Sequence, residues 1–405
     1  MAGATTDGVR RATVLLALAG SALLFNTTEN LPIGLLPLIA ADLDVPLPWV
    51  GWLVGGYGLA VAAVSLPLAH WTRDVPRRWL LGGVLAVLTA ATLLGALTGT
   101  YPVLLGARIA TAVAQALFWA VTAPVAVGLF SPGVRGRVVA VMSVGGSLAT
   151  VAGVPAGTWL GQRDGWRLPF LLVAAAALVT LVVVVALLPT TAPEHSHGAY
   201  AQAPHTGRFA ALLVVTAVSV TGMFTGFTYV TQLLDRAGLT SAAVGPLLGV
   251  FGVAGIAGVA LVGRLVDRHP RAVLAGTVGG QAVALVGLGL LTHRVVLVAL
   301  LALLGLAAVP IFMITQARVL HVSPGRTELG FAANSAIFNV GIAAGALLGG
   351  LVLSSLGARA AFLAGGLVTV VALAVVLAEP LVTGADPDSR AVSVGSPDHS
   401  VAPAR

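Results

Sequence analysis

The chain has no cysteine and no lysine, and only 9% of its 405 residues are charged. The absence of cysteine excludes a disulfide framework, a thiol nucleophile and a thiolate metal site. Soluble domains carry roughly 25% charged residues. A chain with so few charges, 58% hydrophobic residues and a mean hydropathy of +1.01 is not a folded soluble monomer. Its apolar runs reach the roughly 20 residues that a helix needs to cross a bilayer, which predicts a polytopic helical membrane protein.

The basic residues are all arginine, 21 in number. Together with the bias toward Ala, Val, Leu and Gly, this indicates a GC-rich bacterial genome. The net charge of +7 does not indicate nucleic-acid binding here, because the arginines lie mainly between apolar runs. The first 11 residues could imitate the start of a secretory signal peptide, but the apolar stretch that follows is too long for a signal core. We expect a retained first span.

Hydropathy predicts twelve spans in two halves of six. The predicted spans are 12–40, 49–71, 79–99, 102–128, 138–160, 167–188, 209–233, 243–263, 272–292, 295–317, 328–354 and 359–381. The corresponding organisation is a cytoplasmic N-terminus (1–11), a first half (12–188), a cytoplasmic linker (189–208), a second half (209–382) and a disordered cytoplasmic tail (383–405).

Arginine placement predicts the orientation of this bundle. The segments assigned to the cytoplasm hold fifteen arginines, the segments assigned to the outside hold five, and Arg108 lies inside a span. This asymmetry follows the positive-inside rule. We therefore expect a bacterial cytoplasmic membrane protein with both termini in the cytoplasm.

Two loops indicate that the halves arose by duplication. The loop after span 2 reads AHWTRDVPR at 69–77, and the loop after span 8 reads GRLVDRHPR at 263–271. They align at an offset of 194 residues, with Pro76 over Pro270 and Arg77 over Arg271. Two parallel six-span halves joined by a linker are typical of one class of secondary transporter.

Further motifs resemble a known family. Span 4 carries LGAR at 105–108, span 5 carries GVPAGTWLG at 153–161 followed by GWR at 165–167, and span 11 carries FNVGIAAGA at 338–346. The second loop fits the family's Gly, Asp-Arg, basic pattern, whereas the first loop has Ala69 for the glycine and Arg-Asp for Asp-Arg. With these motifs the chain resembles the major facilitator superfamily, and within it the twelve-span drug–proton antiporters near bacterial sugar-efflux and arabinose-efflux-like exporters.

The resemblance implies roles for particular residues. It implies an all-α fold of two pseudo-symmetric six-helix halves, proton coupling through the arginine of span 4, and a functional monomer. It assigns an antiporter motif to Gly153, Pro155, Gly157 and Gly161. It assigns a cytoplasmic gate to Arg73, Asp74, Arg77, Arg78, Gly263, Asp267, Arg268 and Arg271. Positive-inside anchoring is the alternative explanation of these loops.

Glu29 and Arg108 are the candidate proton-coupling residues. Ionisable side chains inside a membrane are costly and are functional candidates by default. Burial favours the neutral form of a carboxyl and a nearby arginine favours its charged form, whereas arginine itself does not deprotonate. The alternatives are a carboxylate that recognises a cationic substrate, a permanent ion pair or a glutamate that reaches solvent. Polar and aromatic neighbours, some of which could equally be packing residues, are candidates for the substrate cavity: Asn26, Asn30, Thr111, Gln115, Phe118, Trp119, Phe227, Gln232 and Asn339.

Small residues recur every four positions in span 5, at Gly145, Ala149, Gly153, Gly157 and Gly161. Such a ridge allows another helix backbone to approach closely. Helix packing alone and a gating interface are both consistent with it. Pro155 removes a backbone donor and predicts a kink.

These observations favour a proton-coupled exporter of a small molecule, with no cofactor, no metal and no nucleic-acid partner. No Walker-type loop is present for ATP. Uptake by proton symport, a non-transporting sensor and an intramembrane enzyme are the alternatives, and the missing convergent catalytic groups argue against the last. The linker histidines at 195, 197 and 205 are incidental to a polar linker rather than a metal site. A single acidic residue within the spans of the first half favours neutral or cationic cargo.

Overall fold

A computed structural model describes residues 2–72, 75–130, 135–189, 204–266, 269–324 and 327–383. Within these ranges every regular element is helical. The first half contains α1 (Ala2–Asp42), α2 (Leu47–Val50), α3 (Trp52–Trp71), α4 (Arg77–Leu97), α5 (Tyr101–Gly128), α6 (Arg135–Leu148), α7 (Val154–Asp164) and α8 (Arg167–Leu187). The second half contains α9 (Thr206–Phe227), α10 (Val230–Arg236), α11 (Ser241–Leu265), α12 (Pro270–Leu290), α13 (Arg294–Ala308), α14 (Ile311–Val322), α15 (Thr327–Leu356) and α16 (Ala358–Thr383).

Eleven helical segments of the described chain are long and apolar enough to cross a membrane. The remaining predicted span, 138–160, corresponds to α6 and α7, which a π-helical turn at Ala149–Gly153 joins into one helical path. The prediction of an all-α membrane protein built from two six-helix halves is confirmed.

Three predicted spans are interrupted by irregular turns. The π-turn directly precedes Pro155, which has no N–H for the i→i−4 bond to Val151. A turn at Val309–Pro310 separates α13 from α14, and a turn at Thr228–Tyr229 separates α9 from α10. Single hydropathy windows cannot detect such breaks, because the residues on both sides of each break are apolar.

The first helix differs from its prediction at the N-terminal side. Helix α1 begins at Ala2, ten residues before the predicted span, and it remains helical through Pro32 and Pro37 to Asp42. Hydropathy located the apolar part of the helix, but the main-chain hydrogen bonds of a helix do not require apolar side chains, so the helix extends into the polar residues that precede the span. The predicted polar N-terminal segment is therefore part of a helix.

Among the described residues, the halves share a hydrophobic core at one end of the bundle only. We name this end, with the loops at 43–46, 98–100, 165–166, 237–240 and 291–293, the sealed end. There Ile33, Val54 and Val154 of the first half pack in one cluster with Phe227 and Phe251 of the second. A second cluster at the same end joins residues of α1 and α3 to Tyr229.

At the opposite end, which carries Ala2 and Thr383 and is named the termini end, each half has its own core. One cluster runs from Val14 to Leu188 entirely within the first half. The other runs from Leu212 to Val376 entirely within the second. The bundle is thus tied together at the sealed end.

Close helix approaches within each half are made by glycine ridges. The ridge of α6 and α7 faces α1, with the position of a Cβ on Gly157 only 2.8 Å from Leu31 Cδ1 and that on Gly161 3.2 Å from Leu35 Cδ1. Gly341, Gly345 and Gly349 of α15 pack in the same way on α9, the first helix of the second half. The span-5 ridge therefore packs inside its own half, in agreement with the helix-packing alternative.

Contacts between the halves use different glycines. Gly58 of α3 lies against the main-chain oxygen of Asn339 on α15, where a Cβ would be 2.8 Å away. Gly245 of α11 lies against Pro155 and Trp159 of α7. Helix α3 of the first half corresponds to α11 of the second, and the α6–α7 segment corresponds to α15. The first contact pairs α3 with α15, and the second pairs α11 with α7, so the same kind of contact occurs twice with the two halves interchanged. This exchange agrees with the predicted duplication.

Candidate functional site

Glu29 lies half-buried on α1, about two-thirds of the way from the termini end to the sealed end of that helix. Its carboxylate Oε2 accepts a hydrogen bond from Gln115 Nε2 of α5 at 2.7 Å. Gln115 Oε1 in turn accepts a hydrogen bond from the hydroxyl of Tyr57 on α3 at 2.5 Å. Three helices of the first half therefore converge on one carboxylate.

Arg108 is held beside this carboxylate by main-chain groups. The side chain is 3% exposed, and its Nη1 and Nη2 donate to the carbonyls of Thr28 at 2.5 Å and Glu29 at 2.9 Å. Its Cζ lies 4.4 Å from the centroid of the Tyr57 ring, a cation–π distance. Within the described part of the chain, no side-chain ion pair joins Arg108 to Glu29, and Arg108 Nε is buried without a hydrogen-bond partner.

The local sequence explains this arrangement. Thr111 and Gln115 follow Arg108 at helical spacing on α5, so Arg108 and Gln115 project from one face toward α1. The hydroxyl of Thr111 is satisfied within its own helix by the carbonyl of Ala107 at 2.9 Å. Arg108 therefore lies beside Glu29, with its guanidinium bonded to main-chain carbonyls of α1.

Asn26 and Trp119 lie toward the termini end from Glu29, and Asn30 is the next residue of α1. Asn26 Nδ2 donates to the carbonyl of Gly146 on α6 at 3.2 Å, and the half-exposed ring of Trp119 lies beside the same glycine. Asn30 Nδ2 donates to the carbonyl of Asn26 at 3.0 Å. These side chains present polar and aromatic surface close to Glu29.

Other predicted cavity residues lie elsewhere. Phe118 has no exposed surface and packs on Phe25, with ring centroids 4.8 Å apart. Phe227 stacks on Phe251 in the shared core. In this conformation both rings pack in the hydrophobic core.

The two predicted amides of the second half lie at different depths, with Gln232 near the sealed end and Asn339 near the middle of α15. Gln232 lines a cavity of about 330 Å³ there, with its Oε1 buried and unpartnered among the described residues. Asn339 donates from Nδ2 to the Ser335 carbonyl of its own helix at 2.9 Å.

The predicted gate is described only in part. Arg73, Asp74, Asp267 and Arg268 lie outside the described residues. Arg271 donates to the carbonyls of Val376 and Leu377 near the end of α16, inside the second half. Arg78 lies 5.6 Å from the ring of Trp79, and Gly263 faces open space. The gate function stays a prediction.

The linker histidines are likewise only partly described. His195 and His197 lie outside the described residues. His205 caps α9 by accepting a hydrogen bond from the main-chain N–H of Arg208 at its Nδ1, at 3.2 Å.

The sequence analysis did not identify three polar features. Tyr57 is an isolated tyrosine in an apolar span, and nothing in its neighbours marks it. Arg318 and Glu379 form a buried ion pair of 2.6 Å between α14 and α16. Glu379 lies inside the predicted span 359–381, so a search for every acidic residue within a span would have found it. Asn334 is fully buried and bonds Thr216, Thr315 and Gln316.

Comparison with solved structures shows the same fold. A bacterial homologue of the human lysosomal transporter Spinster, in an inward-facing and unoccupied conformation, superposes with a TM-score of 0.74 at 16% identity, covering 93% of this chain and 99% of that one. The same homologue in an inward-facing, occupied conformation gives 0.72 at 16% identity, with 93% and 99% covered. The human organic anion transporter MFSD10 (TETRAN) gives 0.64 at 16% identity, with 91% and 98% covered.

The family profile described as Major Facilitator Superfamily matches residues 18–294 and 212–397, two overlapping segments that include both halves. A match of this extent, together with the fold, identifies a multi-pass membrane protein that carries small molecules and is a transporter rather than an enzyme. The chain belongs to the major facilitator superfamily.

Proposed function

We propose that the protein is a proton-coupled exporter, an antiporter that moves a small molecule out of a bacterial cell by alternating access. It acts as a monomer in the cytoplasmic membrane with both termini in the cytoplasm. The cargo is a small molecule such as a drug, a sugar, a nucleoside or a secondary metabolite. Glu29 carries the proton, and Arg108 adjusts how readily Glu29 takes it up.

The observation that supports this proposal is the way in which Glu29 is held. A carboxylate in a permanent ion pair would stay charged, but the guanidinium of Arg108 bonds main-chain carbonyls instead. The carboxylate has one amide donor, Gln115, and is partly accessible. A carboxyl with one neutral hydrogen-bond partner and a cation nearby can exist in both protonation states, as a proton carrier must.

The arrangement of the cores supports alternating access. The halves share their core at the sealed end and have separate cores at the termini end. With cytoplasmic termini, as the arginine asymmetry predicts, this conformation receives cargo from the cytoplasm. Asn26 and Trp119 lie on the termini side of Glu29, where such cargo would enter. Asparagine, an indole ring and one carboxylate favour neutral or cationic molecules.

The test is collapse of an imposed proton gradient in inside-out vesicles challenged with drugs, sugars and nucleosides. Wild type, Glu29→Gln and Asp42→Asn are compared. Asp42 is a matched control, since it is an acidic residue of the same helix that lies at the sealed end and pairs with Arg167. We expect at least one compound to collapse the gradient with wild type and Asp42→Asn but not with Glu29→Gln.

The sign of the proton flux tests the direction of transport. An antiporter moves protons in the direction opposite to the cargo, whereas a symporter moves them in the same direction. Proton movement in the same direction as the cargo would therefore favour uptake by symport over export. Equal responses of wild type and Glu29→Gln would remove Glu29 from coupling. Cargo movement without any proton flux would refute proton coupling altogether.

A further inference from the structure

Tyr57 contacts both Gln115 and Arg108 in the polar site around Glu29. Its side chain is 1% exposed and packs with Val61, Ala112 and Ala116 between α3 and α5. Its hydroxyl donates to Gln115 Oε1, and its ring lies beneath the Arg108 guanidinium. Within the described residues, Gln115 Oε1 is the acceptor of the Tyr57 hydroxyl.

The amide of Gln115 has two unlike ends. One end, Oε1, only accepts hydrogen bonds, and the other, Nε2, only donates them. Because the Tyr57 hydroxyl donates to Oε1, Nε2 must point at Glu29, as its 2.7 Å contact with Oε2 shows. Reversing the amide would leave the buried hydroxyl hydrogen of Tyr57 without an acceptor, and an unmade buried hydrogen bond is costly.

The direction of the amide decides which form of Glu29 fits the site. An amide N–H stabilises the ionised carboxylate, which only accepts hydrogen bonds. An amide oxygen stabilises the protonated acid, which can donate one. Among the described residues, the charged or titratable side chains that face Glu29 are Arg108 on α5 and Tyr57 on α3.

We propose that Tyr57 is a positioning residue that locks the Gln115 amide with its N–H toward Glu29, and thereby favours the ionised carboxylate in the conformation closed at the sealed end. The inference rests on the proposed function only for its role in transport. Its structural basis is independent of cargo, since it consists of two hydrogen bonds and one buried hydroxyl.

The position of Tyr57 also connects this lock to the contact between the halves. The next residue, Gly58, abuts the Asn339 carbonyl of the second half, and Gly55 lies one turn away with its Cβ position 3.4 Å from the Ala343 carbonyl. Helix α3 therefore carries the contact between halves on one face and the lock on the adjacent face. A displacement of α3 at that contact reaches Glu29 through two hydrogen bonds, from Tyr57 to Gln115 and from Gln115 to Glu29.

The test is an infrared titration of the full chain in liposomes without cargo. The protonated-carboxyl band of Glu29 is assigned by its loss in Glu29→Gln. Tyr57→Phe keeps the ring and removes the donor, so the amide can turn to match a protonated Glu29. We expect the midpoint of the band to move to higher pH by about one unit, since one hydrogen bond is exchanged for another.

Matched variants separate positioning from a general structural effect. Tyr101→Phe removes a tyrosine hydroxyl that bonds the Trp49 carbonyl at the sealed end, and it should leave the midpoint unchanged. In a Gln115→Leu background, adding Tyr57→Phe should cause no further shift, because no amide remains to be positioned. Tyr57→Met, which also lacks the donor, replaces Tyr57→Phe if the latter does not fold.

An unchanged midpoint in Tyr57→Phe, or an equal shift with and without Gln115, would overturn the lock. A Glu29 that does not titrate in any variant would overturn it as well. Because the titration needs no transport, a failure to find proton-coupled cargo in vesicles would refute the proposed function and leave the lock standing. The two results are therefore distinguishable.

Discussion

Gly245 on α11 lies where the second half meets the first, and adding one methyl group there should disturb the sealed end. A Cβ on this residue would lie 2.8 Å from the Pro155 oxygen, 2.8 Å from Trp159 Cβ and 3.0 Å from Trp159 N. Ordinary contacts begin at 3.4 Å, so backbone atoms of the two halves must separate by several tenths of an ångström. Overpacking of this kind costs about 1–3 kcal/mol.

The methyl group acts only where the sealed end is closed. Its cost therefore reduces the population of that conformation relative to one opened at the sealed end, by about 5- to 150-fold for 1–3 kcal/mol. Gly249→Ala is the matched control on the same helix, because its Cβ would meet only the Pro155 side chain at 3.7 Å and 3.9 Å, which is ordinary contact.

The assay is a spin-label distance measurement across the sealed end. The chain has no native cysteine, so Thr100→Cys and Ser241→Cys, both exposed in or next to sealed-end loops of opposite halves, label without background. We expect Gly245→Ala to enrich the longer distance and Gly249→Ala to match wild type. Identical distributions for Gly245→Ala and Gly249→Ala would refute the reasoning that this contact controls the closed state.

Two further predictions concern ion pairs of different depth. Arg318→Ala should lower the free energy of unfolding by about 3–5 kcal/mol, because it removes the ion pair of 2.6 Å that the buried Glu379 carboxylate makes with Arg318. Thermal unfolding in detergent measures this loss, and recovery in the exchanged pair Arg318→Glu with Glu379→Arg would confirm that the pair is responsible. Asp42→Asn should change the same quantity by only about 0–1 kcal/mol, since its pair with Arg167 is 35–41% exposed. A loss as large as that of Arg318→Ala would contradict this distinction.

The architecture was predictable because its causes are distributed over many residues. Twelve apolar stretches, the arginine asymmetry and the paired loops at 69–77 and 263–271 each reflect constraints that a bilayer or a duplication imposes along the whole chain. The interruptions within the spans were not predictable, because a π-turn or a proline turn within an apolar stretch leaves the mean hydropathy of that stretch unchanged. Pro155 gave a local signal, and a π-turn does precede it.

The candidate site was only half predictable. Glu29 and Arg108 stand out because charge is rare in a membrane, which is a property of each residue alone. Tyr57 does not stand out, since its importance comes from the packing of α3 on α5 and not from its neighbours in sequence. The positions of Phe118 and Phe227 also depend on packing. Their aromatic side chains suggested a cavity, but in this conformation both lie in the hydrophobic core.

The α6–α7 segment has two faces with different partners. Gly157 and Gly161 pack on α1 of the same half, while Pro155 and Trp159 pack on α11 of the other. The first face belongs to a contact within one half, so enlarging it should lower the yield of folded protein. The second face belongs to a contact between the halves, which opens in the proposed cycle, so changing it should change the rate of turnover in a protein that still folds. One helix thus holds its requirements for assembly and for motion on opposite sides, where they can vary separately.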